Sequence, residues 1–152
     1  MPRRPPARAD DRGLVFSLAF FTLKHLGEGQ FYLMAIEDEN GQDLDGAKTY
    51  RLNVPANAPV RLYWSATAYD RATHRLIREH KWASRSSQTP GLQNNADGSV
   101  DVYFGPRAPA GKESNWVPTK PKGQFEVLFR FYGPEKALFE KTWKLPDLET
   151  VS

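Results

Sequence analysis

The stretch Gln124–Tyr132 reads Q-F-E-V-L-F-R-F-Y. Phe125, Val127, Phe129 and Phe131 fall on one side of it, and Glu126, Leu128, Arg130 and Tyr132 on the other. A period of two belongs to a strand with one buried face, because successive side chains of an extended backbone point to opposite sides. Gly133-Pro134 punctuates its end. Working outward, Pro59–Asp70 repeats the pattern, with Val60, Leu62, Trp64, Ala66 and Ala68 against Arg61, Tyr63, Ser65, Thr67 and Tyr69. Thr49–Val54 sets Tyr50, Leu52 and Val54 against polar partners, and Pro55 and Pro59 stop it.

Further strand signals lie at Leu14–Leu23, Gln30–Glu37, Leu76–Lys81 and Val100–Phe104. They are separated by turn chemistry at Asn40-Gly41, Arg71-Ala72-Thr73 and Asp97-Gly98. Glu135–Lys141 is the one helical candidate, a short one, and Trp143–Pro146 closes extended. Seven or eight short strands with no alternation of strand and helix predict an all-β, antiparallel, jelly-roll-like sandwich. The reading places this domain at 13–149. A basic, proline-rich tail expected to be disordered precedes it at 1–12, and a short tail of 150–152 follows.

A chain of 152 residues suffices for one domain with a real core. Hydrophobic residues make up 39% and charged residues 26%, the balance of an ordinary globular protein, and the 12% aromatic share leans toward β structure. Net charge is +3; Arg3, Arg4, Arg8 and Arg12 against Asp10 and Asp11 put +2 of it in the first twelve residues. The remaining +1 is no field for a nucleic acid. The absence of cysteine excludes disulfides, thiolate metal sites and a cysteine nucleophile. Leu14–Leu23 is too short to span a bilayer. Asp10-Asp11 before it and Lys24-His25 after it argue against a cleaved signal, and its alternation suits a strand. A soluble bacterial protein is expected, with cytoplasm and periplasm both open.

Residues that could carry chemistry are few. His74 and His80, six apart on an expected strand, would stand about 20 Å from one another, too far to share a metal; His25 is the third histidine. Asp38–Gly46 is acidic but lacks the alternating carboxylates and terminal glutamate of a calcium loop. Ser84, Ser86 and Ser87 have no nucleophile elbow around them. No metal, cofactor or catalytic residue is therefore assigned. The long stretch Arg85–Trp116 is different, because it concentrates planar amides, cations and aromatic rings, the groups that hold polar ligands at a sandwich rim. Arg85, Ser87, Gln88, Tyr103, Lys112, Asn115 and Trp116 are its candidate ligand-binding residues. Loops of this kind also need such side chains simply to satisfy their own backbone.

Several stretches resemble one bacterial family, domain of unknown function 1214. They are Y-R-L-N-V-P-A-N-A-P-V at Tyr50–Val60, Y-W-S-A-T-A-Y-D at Tyr63–Asp70, S-R-S-S-Q-T-P-G-L at Ser84–Leu92 and N-A-D-G-S-V-D-V-Y-F-G-P at Asn95–Pro106. A-G-K-E-S-N-W at Ala110–Trp116, F-R-F-Y-G-P at Phe129–Pro134 and K-T-W-K-L-P-D at Lys141–Asp147 continue the resemblance, which covers Gly27 to Glu149. It implies a jelly-roll-like sandwich, usually the C-terminal part of a longer chain behind a domain of unknown function 1254. It implies no reaction and transfers no catalytic residue.

Three functions are then in order of preference. The first is a non-catalytic module binding a small polar or carbohydrate-like ligand. The second is an interaction domain that needs a partner domain or a second copy of itself. The third is a hydrolase-type enzyme, which requires Glu113, Asp101 or a histidine to converge on Ser86 or Ser87.

Overall fold

The computed structural model describes residues 17–18, 29–77, 83–140 and 142–151. Among the described residues nine strands form two sheets. β1 (Ser17–Leu18), β2 (Gln30–Ala35), β4 (Val60–Asp70), β5 (Ser84–Ser86) and β8 (Phe125–Pro134) make a five-stranded sheet in the order β1-β2-β8-β4-β5. β3 (Thr49–Val54), β6 (Val100–Gly105), β7 (Trp116–Pro118) and β9 (Glu149–Val151) make a four-stranded sheet in the order β7-β6-β3-β9.

The strand read first from the sequence lies centrally. β8 pairs antiparallel with β2 on one side and β4 on the other, so Phe129 lies between Leu33 and Ala66. Its phenylalanine face turns inward against the four-stranded sheet, and Phe125 packs on Tyr50 at 5.6 Å and on Phe104 at 6.1 Å between ring centroids. Trp64 stacks on Phe129 at 5.3 Å. The buried apolar residues of both sheets form one core, which is what drives two half-apolar sheets together.

Four features differ from the sequence reading. Leu62, expected inward, is 54% exposed. The register of β4 against β8 shifts between Val60 and Tyr63, and an irregularity there turns the intervening side chains over. Second, β7 pairs with β6 in parallel, whereas the other strand pairings among the described residues are antiparallel. Third, Asn40-Gly41 does make a tight turn, with Gly41 at φ 76°, but β2 and β3 on either side of it belong to different sheets. Fourth, β9 carries the four-stranded sheet through Val151, past the boundary set at 149. Thr150 and Val151 are therefore strand rather than tail.

The expected helix is confined to α1 (Lys136–Phe139), with Leu138 packed against the core. Trp143 then packs edge-on to Phe131 at 5.7 Å, and its Nε1 donates to the Ala56 carbonyl at 3.1 Å. Of the strand expected at Leu76–Lys81, Leu76 forms an isolated bridge to Tyr69, and residues 78–82 lie outside the described residues. His74 stands in the turn after β4 at φ 55°, not on a strand. His25, His80, most of the stretch at Leu14–Leu23 and the 1–12 tail also fall outside the described residues.

Candidate functional site

The crossover from Arg85 to Trp116 runs from the edge of one sheet to the edge of the other. β5 lies at the rim of the five-stranded sheet, so Arg85 can reach across to the second sheet. Its Nε donates to the Trp116 carbonyl at 2.9 Å and an Nη to the Glu113 carbonyl at 2.8 Å. Burial lowers the pKa of this guanidinium. Ser87 is tied to β4: its amide donates to the Trp64 carbonyl at 3.1 Å, and its Oγ accepts the Trp64 amide at 3.2 Å. The Gln88 amide donates to Ser86 Oγ at 3.1 Å, which leaves the Gln88 side chain at an exposed corner.

Asn115 is the centre of this arrangement. It is 1% exposed and ends a single 3-10 turn, Glu113–Asn115. Its Oδ1 accepts the Gln93 amide at 2.8 Å, while its Nδ2 donates to the Gln93 and Asp101 carbonyls, both at 2.9 Å. One side chain thus satisfies three backbone groups from two segments, which is how an irregular crossover avoids orphaned donors and acceptors where it meets the sheet. Lys112 Nζ donates to Gln93 Oε1 at 3.1 Å, and Gln93 Nε2 donates to the Gly111 carbonyl at 2.6 Å. Asp97 accepts the Ser99 amide and hydroxyl, at 2.9 and 2.6 Å, and these bonds lower its carboxyl pKa.

Tyr103 and Trp116 are placed differently. They are direct neighbours on β6 and β7, where Phe104 and Val117 beside them face the core. Alternation therefore puts Tyr103 and Trp116 on the outer face of the four-stranded sheet. Arg51 is the partner of Tyr103 on β3, and Glu149 is the partner of Arg51 on β9. The row Trp116–Tyr103–Arg51–Glu149 crosses all four strands, and each of its members is half-buried. Trp116 Nε1 donates to the Gly105 carbonyl at 2.9 Å, which fixes the ring along the sheet. Arg51 pairs with Glu149, a bond that raises the guanidinium pKa.

The structure thus separates the seven sequence candidates. Tyr103 and Trp116 come together on an open sheet face; Arg85, Lys112 and Asn115 make bonds within the crossover, Ser87 bonds to Trp64 on β4, and the Gln88 side chain stands exposed at a corner. Arg51 and Glu149 complete the row and were missed. The signal was present, because the alternation in Thr49–Val54 already turned Arg51 away from the core; what the sequence lacks is the register that sets it beside Tyr103. The acidic loop also has structural work. Asp38 is buried, its Oδ1 accepting the Asn40 and Gln42 amides at 2.8 and 3.1 Å. Ser86 and Ser87 meet no carboxylate or histidine in the hydrogen bonds described for them, and Asp101 accepts from Asn53 at 2.8 Å. Among the described residues no group of three or more histidines and carboxylates is placed to hold a metal ion, and no helix is long and apolar enough to cross a membrane.

With this geometry in place, comparison with known proteins adds a family and a fold. The family model described as a protein of unknown function, DUF1214, matches residues 29–136. A crystal structure of a protein from Vibrio parahaemolyticus is similar at 25% identity and a TM-score of 0.69, over 81% of this chain and 31% of that one. A putative uncharacterised protein from Burkholderia cenocepacia is similar in fold, at 16% identity and a TM-score of 0.60, over 81% of this chain and 30% of that one. The chain therefore spans about three-tenths of the length of either neighbour. No curated protein matches it.

Proposed function

The chain belongs to the DUF1214 family, and we propose that it is a non-catalytic binding module for a small polar or carbohydrate-like ligand, held on the outer face of the four-stranded sheet. One observation carries this reading: strand register aligns Trp116, Tyr103 and Arg51 in a single half-exposed row. Aromatic faces offer the apolar side of a sugar ring a flat surface at small entropic cost, and a guanidinium beside them donates to hydroxyls. The crossover serves the row from beneath, since Arg85 bonds the backbone of Trp116 itself. Neighbouring strands lie about 4.8 Å apart, so rings on β6 and β7 span the width of one pyranose.

A jelly-roll-like description of the two sheets belongs to the same reading. So does a place at the C-terminal end of a longer chain beside a domain of unknown function 1254; neighbours whose chains are about three times as long as the matched region support the longer chain, not the end at which the domain lies. The test is calorimetric titration of the folded protein with neutral mono- and disaccharides. A saturable heat that falls at least about tenfold in affinity in Trp116→Ala is expected, the worth of one well-placed ring contact. A folded Trp116→Ala variant with unchanged affinity for the sugar that binds would overturn the assignment, as would the absence of any saturable heat.

A further inference from the structure

The opposite surface of the molecule carries a second constellation. Four of the six tyrosines, Tyr32, Tyr63, Tyr69 and Tyr132, fall on the outer side of the five-stranded sheet by the alternation of β2, β4 and β8. Arg130 stands among them. It pairs with Tyr32 on β2 and Ser65 on β4, and donates to the Tyr69 hydroxyl at 3.1 Å. Tyr63 and Tyr132, direct partners across β4 and β8, stack with centroids 4.2 Å apart and planes 19° from parallel. Between these tall side chains the floor is low: Ser65 and Thr67 are only 8% and 5% exposed although their sheet face is the outer one. The taller tyrosines and arginine around them thus cover these short hydroxyl residues.

The charge on that face is positive. Among the described residues Arg130 forms no ion pair, and the one carboxylate on the same strand face, Glu126, is already held by Arg71 at 3.4 Å and His74 at 3.0 Å. The buried Glu126 carboxylate, at the far end of the face, therefore leaves Arg130 uncompensated. Guanidinium and carboxylate match as planar forks, and the ring stack gives a planar ligand body a surface to lie against. Two residues of strand rise about 6.6 Å, so the step from Arg130 to Tyr132 is close to the length of a benzoate ion.

From this juxtaposition we propose that the outer face of the five-stranded sheet is a binding site for a small planar carboxylic acid of the benzoate class, its carboxylate on Arg130 and its ring along Tyr132 and Tyr63. The site is separate from the Trp116 row, which lies on the other sheet, and stands or falls without it.

The experiment is calorimetric titration of the folded chain with benzoate, and with benzamide as its uncharged isostere. Saturable benzoate binding is expected, with benzamide weaker by at least about tenfold, the worth of a charge-assisted pair. Arg130→Gln should abolish the preference for benzoate. Arg130→Lys, which keeps the charge but not the fork, should recover only part of it, and melting curves of both Arg130 variants establish that they are folded. Equal affinity for benzoate and benzamide, undiminished benzoate binding in Arg130→Gln, or no saturable heat with benzoate would each overturn the proposal.

Discussion

The crossover between Arg85 and Trp116 and the outer face of the four-stranded sheet draw on the same residue types, arginine, amide and aromatic, and use them in opposite ways. In the crossover Asn115, 1% exposed, bonds three backbone groups, and Arg85 bonds two carbonyls. On the sheet face Trp116, the very next residue, donates its one N–H to Gly105 and keeps its ring half-exposed. Polar side chains in long loops thus have a prior duty to the backbone, which cannot pair with itself there. Sheet backbone is already paired, so residues that alternate outward from it remain available to a ligand. Residue type alone does not distinguish the two situations; the state of the neighbouring backbone does.

The largest effect that tests this contrast is in Asn115→Ala. The substitution leaves the Gln93 amide and the Gln93 and Asp101 carbonyls without their side-chain partner in a part-buried setting. Unmade bonds of this kind cost about 1–3 kcal/mol each before relaxation, and a net loss of about 3 kcal/mol is expected. Urea denaturation at unchanged m-value measures it. A loss under about 0.5 kcal/mol, the level of an ordinary surface change, would break the comparison. Arg85→Ala comes next, at about 1–2 kcal/mol for two charge-assisted bonds to carbonyls at a partly exposed rim. Arg85→Lys should recover less than half of that loss, because an ammonium cannot span both carbonyls as the fork does.

How much of this was legible follows the same division. β3, β4 and β8 were readable almost to their ends, because each buries one face and so writes a period of two into the sequence. Val100–Phe104 was readable for the same reason and falls one residue short of β6. β7 was not, since Trp116–Pro118 is too short to carry a period and pairs in parallel with a strand already spoken for by β3. β9 was lost likewise, with Thr150 and Val151 resembling a tail until β3 is there to pair them. The candidate site suffered from that gap. Tyr103 and Trp116 were chosen for their rings, but Arg51 joins them only through the pairing of β3 with β6, which no local pattern announces. Tyr63, Arg130 and Tyr132 sat within well-read strands and were assigned to the outer face at once; what gathers them is again the register between β4 and β8.

The smallest effect separates the crossover from solvent chemistry by pH. Asp97 accepts the Ser99 hydroxyl and amide, and both bonds lower its carboxyl pKa from the ordinary value of 3.8. A carboxyl whose folded pKa lies below its unfolded one stabilises the fold fully above the unfolded value, and that contribution is lost as pH falls through the folded one. Stability should therefore decline below about pH 3.8, and Asp97→Asn should flatten part of the decline by slightly lowering the neutral plateau, because an uncharged amide oxygen accepts the same two bonds more weakly than a carboxylate. Asp70 provides the control outside the crossover: its Oδ1 accepts the Ala72 and Thr73 amides at 2.9 and 3.0 Å, and its pKa is lowered mainly by the Thr73 amide. Melting temperatures of Asp97→Asn, Asp70→Asn and the double variant across pH 2–6 read both contributions. Additive flattening is expected, because the two turns share no partner. An Asp97→Asn variant with the parent's full acid limb would mean that the Asp97–Ser99 bonds do not hold the crossover, and the contrast between loop and sheet face would then rest on Asn115 and Arg85 alone.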